Sequence, residues 1–191
     1  MDAIETELAV GLESTINDPF VVRRGARGSF TVRPLRWLGA TAIVGGYPNL
    51  GSADLTGATR ALIDLNLVTP DVSRVIGLAT VAGEVTPLSL QGDVGWALRL
   101  RVGGGAVYTV DDLELTGHQT PAGVAFEKEF HPQWSWEVAT EATLDRWGVR
   151  VHFGQLSYVE VVEAIDENKA PLWLGVDGTV RLGRIPERIE E

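Results

Sequence analysis

Trp96-Ala97-Leu98-Arg99-Leu100-Arg101-Val102-Gly103-Gly104-Gly105-Ala106-Val107-Tyr108-Thr109 is the stretch on which the fold turns. Read two residues at a time it has two unlike faces. Trp96, Leu98, Leu100, Val102, Gly104, Ala106 and Tyr108 share one, while Ala97, Arg99, Arg101, Gly103, Gly105, Val107 and Thr109 share the other. A period of two is the signature of a β-strand, because successive side chains point to opposite sides. The apolar face begins and ends on an aromatic ring, Trp96 and Tyr108, twelve positions apart. A strand tilted by ~45° needs ~9–11 residues to cross the hydrocarbon layer of a membrane.

The same alternation recurs along the chain. Leu172, Leu174, Val176, Gly178, Val180 and Leu182 oppose Trp173, Gly175, Asp177, Thr179 and Arg181. Trp134, Trp136, Val138, Ala142 and Leu144 oppose Ser135, Glu137, Glu141 and Thr143, and Ile4, Leu8, Val10 and Leu12 oppose Glu5, Glu7 and Glu13. Eight candidate strands follow, at about 3–15, 20–34, 37–47, 73–86, 95–110, 133–145, 148–162 and 171–183. Pro34–Arg36, 87–93 and 145–148 are compact connections, whereas 48–72 and 111–132 are long and polar. Short turns at one end and long loops at the other are the habit of an up-and-down barrel. One amphipathic stretch, Thr56–Val68, lies between turn signals and reads as a short helix inside a long loop.

Alternation alone also fits a soluble barrel with its apolar face inside, where the aromatics would be core or strand-end residues. The placing of the aromatics favours the membrane. Trp37, Trp96 and Trp147 fall at the short-turn end; Phe20, Tyr47, Tyr108, Trp134, Trp136, Tyr158 and Trp173 fall near the opposite one. Two aromatic girdles flanking an apolar band account for this spacing. The inward face then carries Glu5, Glu7, Glu13, Glu137, Glu141 and Asp177 against Arg27, Arg33, Arg99, Arg101, Arg150 and Arg181, with His152 nearby. Buried charges must be paired, and the planar guanidinium fork holds a carboxylate by two bonds. Fourteen of the sixteen basic residues are arginine. The third and fourth strands have small residues on both faces, which leaves their orientation open. In the seventh, parity sends Gln155 and Ser157 outward unless a bulge near Gly154 turns Leu156 and Tyr158 to the lipid.

Composition narrows the function classes. A chain of 191 residues suits one domain, read here as a barrel over 1–183 with a polar tail, 184–191. A net charge of −10 argues against a general nucleic-acid binder. The absence of cysteine excludes disulfides and thiolate chemistry. The first residues carry neither the basic start nor the apolar core of a secretory signal, so export implies a leader ahead of this numbering.

Chemistry finds little support. His118, His131 and His152 are too scattered for a metal cluster, and Asp111, Asp112 and Glu114 lack the spacing of a calcium loop. Gly103-Gly104-Gly105 has neither the lysine nor the helix of a phosphate cradle. Glu137 and Glu141 sit about 13 Å apart on one strand face, too far for a glycosidase pair. The sequence points to no enzyme, no cofactor and no metal.

Four short motifs carry a resemblance to a known family. They are Ile16-Asn17-Asp18-Pro19-Phe20-Val21, Thr69-Pro70-Asp71-Val72-Ser73, Tyr108-Thr109-Val110-Asp111-Asp112 and Tyr158-Val159-Glu160. In this order they resemble the outer-membrane β-barrel domain proteins typical of myxobacteria and other delta-proteobacteria. The resemblance implies an eight-stranded barrel delivered to the outer membrane, with some relatives serving envelope machinery. One departure is the ending, Gly183-Arg184-Ile185-Pro186-Glu187-Arg188-Ile189-Glu190-Glu191, where such barrels usually close on an aromatic residue.

The expectation is therefore an all-β, eight-stranded antiparallel up-and-down transmembrane barrel with a short helix in one long loop. Its lumen is filled by side chains. Its partners are outer-membrane lipid and, at the long-loop end, an envelope protein; nucleic acid is not among them. Two alternatives stay open: a small-conductance channel, and a soluble lipocalin-like barrel with Leu98, Leu100, Val102, Leu172, Leu174 and Val176 lining an apolar cavity.

Overall fold

A computed structural model describes residues 4–17, 22–48, 56–65, 73–111, 128–162 and 165–183. Phe20, Asp112, Glu114, His118 and the tail 184–191 lie outside the described residues. The strands are β1 (Glu5–Thr15), β2 (Arg24–Leu35), β3 (Leu38–Gly46), β4 (Ser73–Leu90), β5 (Gly95–Asp111), β6 (Lys128–Leu144), β7 (Trp147–Val162), β8 (Ile165–Lys169) and β9 (Leu172–Arg181). Helix α1 (Gly57–Asp64) occupies part of the stretch expected to be helical.

Every pairing is antiparallel, and each strand meets its sequence neighbour from β1 to β7. β8 and β9 keep one register against β7, interrupted only at Ala170–Pro171, so together they form the eighth stave. β9 then pairs with β1 and closes the cylinder. Among the described residues every stave of the wall is paired on both sides, the condition for a sheet to cross a membrane.

The stagger of the wall can be followed from the pairing. Thr6 lies opposite Val32, then Ala40, Gly83, Val102, Trp136, Gln155 and Leu172. The Leu172 carbonyl accepts the Ile16 N–H, so one circuit returns to β1 ten residues further along. Ten residues at ~3.3 Å, set against eight strands ~4.8 Å apart, incline the strands about 40° to the axis.

The polarity is inside out. Val10, Leu12, Val44, Val81, Val102, Trp134, Val149, Leu174 and Val176 are exposed, while Arg33, Arg101, Arg150, Glu7, Glu84 and Glu141 are among the most deeply buried side chains. Val102 is 66 % exposed and its neighbour Arg101 2 %. Val102, Leu174 and Val176 thus face away from the axis, and the lipocalin-like arrangement is not the one adopted. Turn chemistry fits the short end: Leu144 pairs with Trp147 around Asp145-Arg146, and Asp145 takes a positive φ of 53°. A two-residue hairpin needs such a left-handed position, which aspartate tolerates.

Several boundaries move outward from the expected ones. β4 continues through 87–90, which the sequence assigns to a turn, and β6 starts five residues before 133. The proposed bulge near Gly154 is absent: β6 and β7 pair in unbroken register from Gln133–Tyr158 to Leu144–Trp147. Gln155 therefore does face outward. Its Oε1 accepts the Trp136 indole N–H at 3.0 Å, so the two polar groups satisfy each other.

Candidate functional site in the barrel lumen

Strand parity aims the charged side chains at the axis, and closure brings them within reach of one another. At the short-turn end the Arg33 guanidinium donates to Glu5, Glu7 and Glu84 at 2.7, 2.9 and 2.6 Å. Arg99 donates to Glu141 at 2.8 Å and to Glu84 at 3.1 Å. Arg150 donates to Glu141 and to Glu7. Arg181 sits at the rim, 3.7 Å from Glu5 and 3.9 Å from Glu141, and both rim side chains remain partly exposed.

Midway along the axis Arg101 bridges the layers, donating from Nε to Glu84 at 2.7 Å and from Nη1 to Glu137 at 2.8 Å. Arg27 spans Asp177 and Glu137 and lies 3.6 Å from Glu13. His152 completes this level, 3.4 Å from Asp177, 3.7 Å from Glu137 and 4.0 Å from Glu13. From Glu13 to Glu5 the charges form one connected network that runs most of the barrel's length. Glycines on the inner wall make the room. A Cβ at Gly175 would overlap the His152 imidazole, and one at Gly25 the Tyr47 ring.

The long-loop end is sealed by rings instead of charges. Tyr47, Val107, Leu156, Tyr158 and Trp173 form a buried apolar cluster, with Leu78 packed against it. Tyr47 and Trp173 stack at 4.7 Å, and the Tyr47 hydroxyl donates to Glu13, which ties the seal to the charged network. A cavity of about 50 Å³ is lined by residues of both layers, Arg27, Arg101, Glu137 and His152 from the network and Leu78, Leu156 and Trp173 from the seal. Space of that size holds a few water molecules. The buried Trp173 Nε1 has no protein partner, a group that such water would satisfy.

The structure corrects the girdle assignment at two positions. Tyr47 and Tyr158, read from the sequence as lipid-facing, are 2 % and 3 % exposed and lie in the seal, as does Trp173. Parity explains it: Tyr158 shares its face with His152, and Trp173 with Asp177. Trp37, Trp134 and Trp147 are exposed, and Trp96, Tyr108 and Trp136 are half-buried on outward-facing parities. The remaining lumen residues, Glu5, Glu7, Arg27, Arg33, Arg99, Arg101, Glu137, Glu141, Arg150, His152, Asp177 and Arg181, are those just placed in the network.

Glu84, which three arginines share, was missed. Its signal was the parity of Thr80, Ala82, Glu84 and Thr86 against the exposed Val81 and Val85. Among the described residues no group of acids and histidines is arranged to hold a metal ion.

No family model matches the chain, and no curated protein matches it. Solved structures do. The N-terminal β-barrel domain of Pseudomonas aeruginosa OprF is 8 % identical, with 94 % of this chain and 98 % of that one covered and a TM-score of 0.48. The attachment invasion locus protein Ail of Yersinia pestis is 9 % identical, covered over 94 % and 99 %, at 0.41. Neisserial surface protein A (NspA) is 10 % identical, covered over 94 % and 95 %, at 0.50. At these identities the likeness is one of fold: the chain is a closed, eight-stranded antiparallel barrel like NspA.

Proposed function

We propose that this protein is a non-enzymatic barrel of the Gram-negative outer membrane, serving as a structural or interaction component of the envelope. One observation carries the reading. The apolar side chains face outward while the lumen is occupied by a paired charge network and an aromatic seal. Such a surface is costly in water and favourable in lipid. Buried guanidiniums and carboxylates that satisfy one another leave no wide aqueous path. The four short motifs resemble those of the barrel proteins of myxobacteria and other delta-proteobacteria, and kinship with that group is part of this reading. The long-loop end is the surface that meets an envelope partner, since the wall itself is committed to lipid.

Planar-bilayer recording tests the plugged lumen against the small-channel alternative. The refolded protein is expected to leave the bilayer electrically silent. Stable conductance steps in salt would establish the channel reading instead.

A further inference from the structure

The short-turn end carries a second set of arginines, apart from those of the lumen. Arg36 and Arg146 are exposed, and among the described residues neither lies within ion-pair distance of an acid. Asp145 adjoins Arg146 in sequence without pairing to it. Each arginine stands at a hairpin tip and is followed by an exposed tryptophan. Arg36 precedes Trp37 in the turn from β2 to β3, and Arg146 precedes Trp147 in the turn from β6 to β7. The two tips lie four staves apart in a wall of eight, on opposite sides of the barrel.

The stagger of the wall fixes their depth. At that tilt the paired row from Thr6 to Leu172 climbs about 3 Å per strand along the axis, and each strand climbs about 2.5 Å per residue. Counted from Ala40, Val102 and Gln155 on the row, Trp37, Trp96 and Trp147 fall within about 2 Å of one plane across the axis. Three indoles at one height on the outer wall mark where acyl chains give way to headgroups. Arg36 and Arg146 each lie one residue beyond their tryptophan toward the turn, on the headgroup side of that plane. A guanidinium there presents a planar fork of donors that matches a phosphate. The chain as a whole carries a charge of −10, so its general field repels anionic lipid, and attraction has to be local.

We propose that Arg36 and Arg146 each bind the phosphate of an anionic phospholipid in the leaflet at the short-turn end. The inference rests on the membrane reading above and names the lipid chemistry that this end of the wall selects. Eight strands at this tilt make a backbone cylinder about 16 Å across, too wide for one headgroup to bridge, so each tip holds its own lipid.

The test is native mass spectrometry of the barrel released from detergent micelles doped with equal amounts of phosphatidylglycerol and phosphatidylcholine. Wild type should retain up to two phosphatidylglycerol molecules, each favoured about fivefold over phosphatidylcholine, the contribution of one cation at an anionic lipid surface. Arg36→Gln and Arg146→Gln should each retain one, and the double variant should show no preference between the lipids. Both side chains are exposed and unpaired, so circular dichroism should show the same fold in all four proteins. Equal retention of the two lipids by wild type, or an undiminished preference in the double variant, would overturn the proposal. So would adducts of inorganic phosphate mass that appear in place of lipid when phosphate is added, because free phosphate would then be the ligand. Failure of the membrane reading looks different: a chain that stays folded and dispersed without detergent or lipid would refute that reading and this proposal together.

Discussion

Replacing Glu84 by leucine is the sharpest perturbation of the lumen. The carboxylate accepts from Arg33 Nε at 2.6 Å, from Arg99 Nη1 at 3.1 Å and from Arg101 Nε at 2.7 Å, with Arg101 Nη2 a further 2.7 Å away. Hydrogen bonds to charged groups contribute ~1.5–3 kcal/mol each, so three arginine contacts would sum to roughly 4–9 kcal/mol if lost outright. They are not lost outright. Arg33 keeps Glu5 and Glu7, Arg99 keeps Glu141, and Arg101 keeps Glu137. What remains is three buried guanidiniums that have each lost a carboxylate partner, for which the cost of breaking a buried pair, about 3–5 kcal/mol, is the better guide. Urea unfolding of the barrel in lipid vesicles, followed by tryptophan fluorescence, measures it. Glu84→Gln keeps one acceptor oxygen and should cost less than Glu84→Leu. Adding Arg101→Met to Glu84→Leu should recover part of the loss, because Arg101, left with Glu137 alone, no longer has to be buried half-paired. A Glu84→Leu barrel within ~1 kcal/mol of wild type would refute the view that this network is interdependent.

Two further substitutions probe other layers. Tyr47→Phe deletes the hydroxyl that donates to Glu13 and should lower stability by about 1.5–3 kcal/mol in the same unfolding assay. An unchanged midpoint would mean that the seal is not tied to the charges. Leu100→Arg places a charge on the lipid face and should cost ~2–4 kcal/mol, read as lost folding efficiency into vesicles. Normal folding would count against the outward orientation of β5.

How much of this was legible in the sequence depends on the strand. β5, β6 and β9 announce their faces because arginine, glutamate and aspartate alternate with leucine and valine, and one period-two reading suffices. β4 does not: Ala79, Ala82 and Gly83 fall on both faces, and Glu84 alone says little without a neighbour to confirm its direction. Only pairing with Gly39 on one side and Arg101 on the other fixes it. Tyr47 and Tyr158 were misread because position along a strand was weighed above parity. A ring near a strand end serves equally as an interface anchor or as a lumen seal. The register decides, and Tyr158 lies six residues from inward-facing His152.

The absence of cysteine allows the central claim to be tested by single-cysteine spin labels at Leu8, Ala9, Val10, Gly11 and Leu12 in a vesicle-reconstituted barrel. Labels at 8, 10 and 12 should be relaxed by oxygen dissolved in the lipid, and labels at 9 and 11 shielded from it. Oxygen contact at 9 and 11 with shielding at 8, 10 and 12 would mean that the greasy side of the wall points inward, contradicting the account.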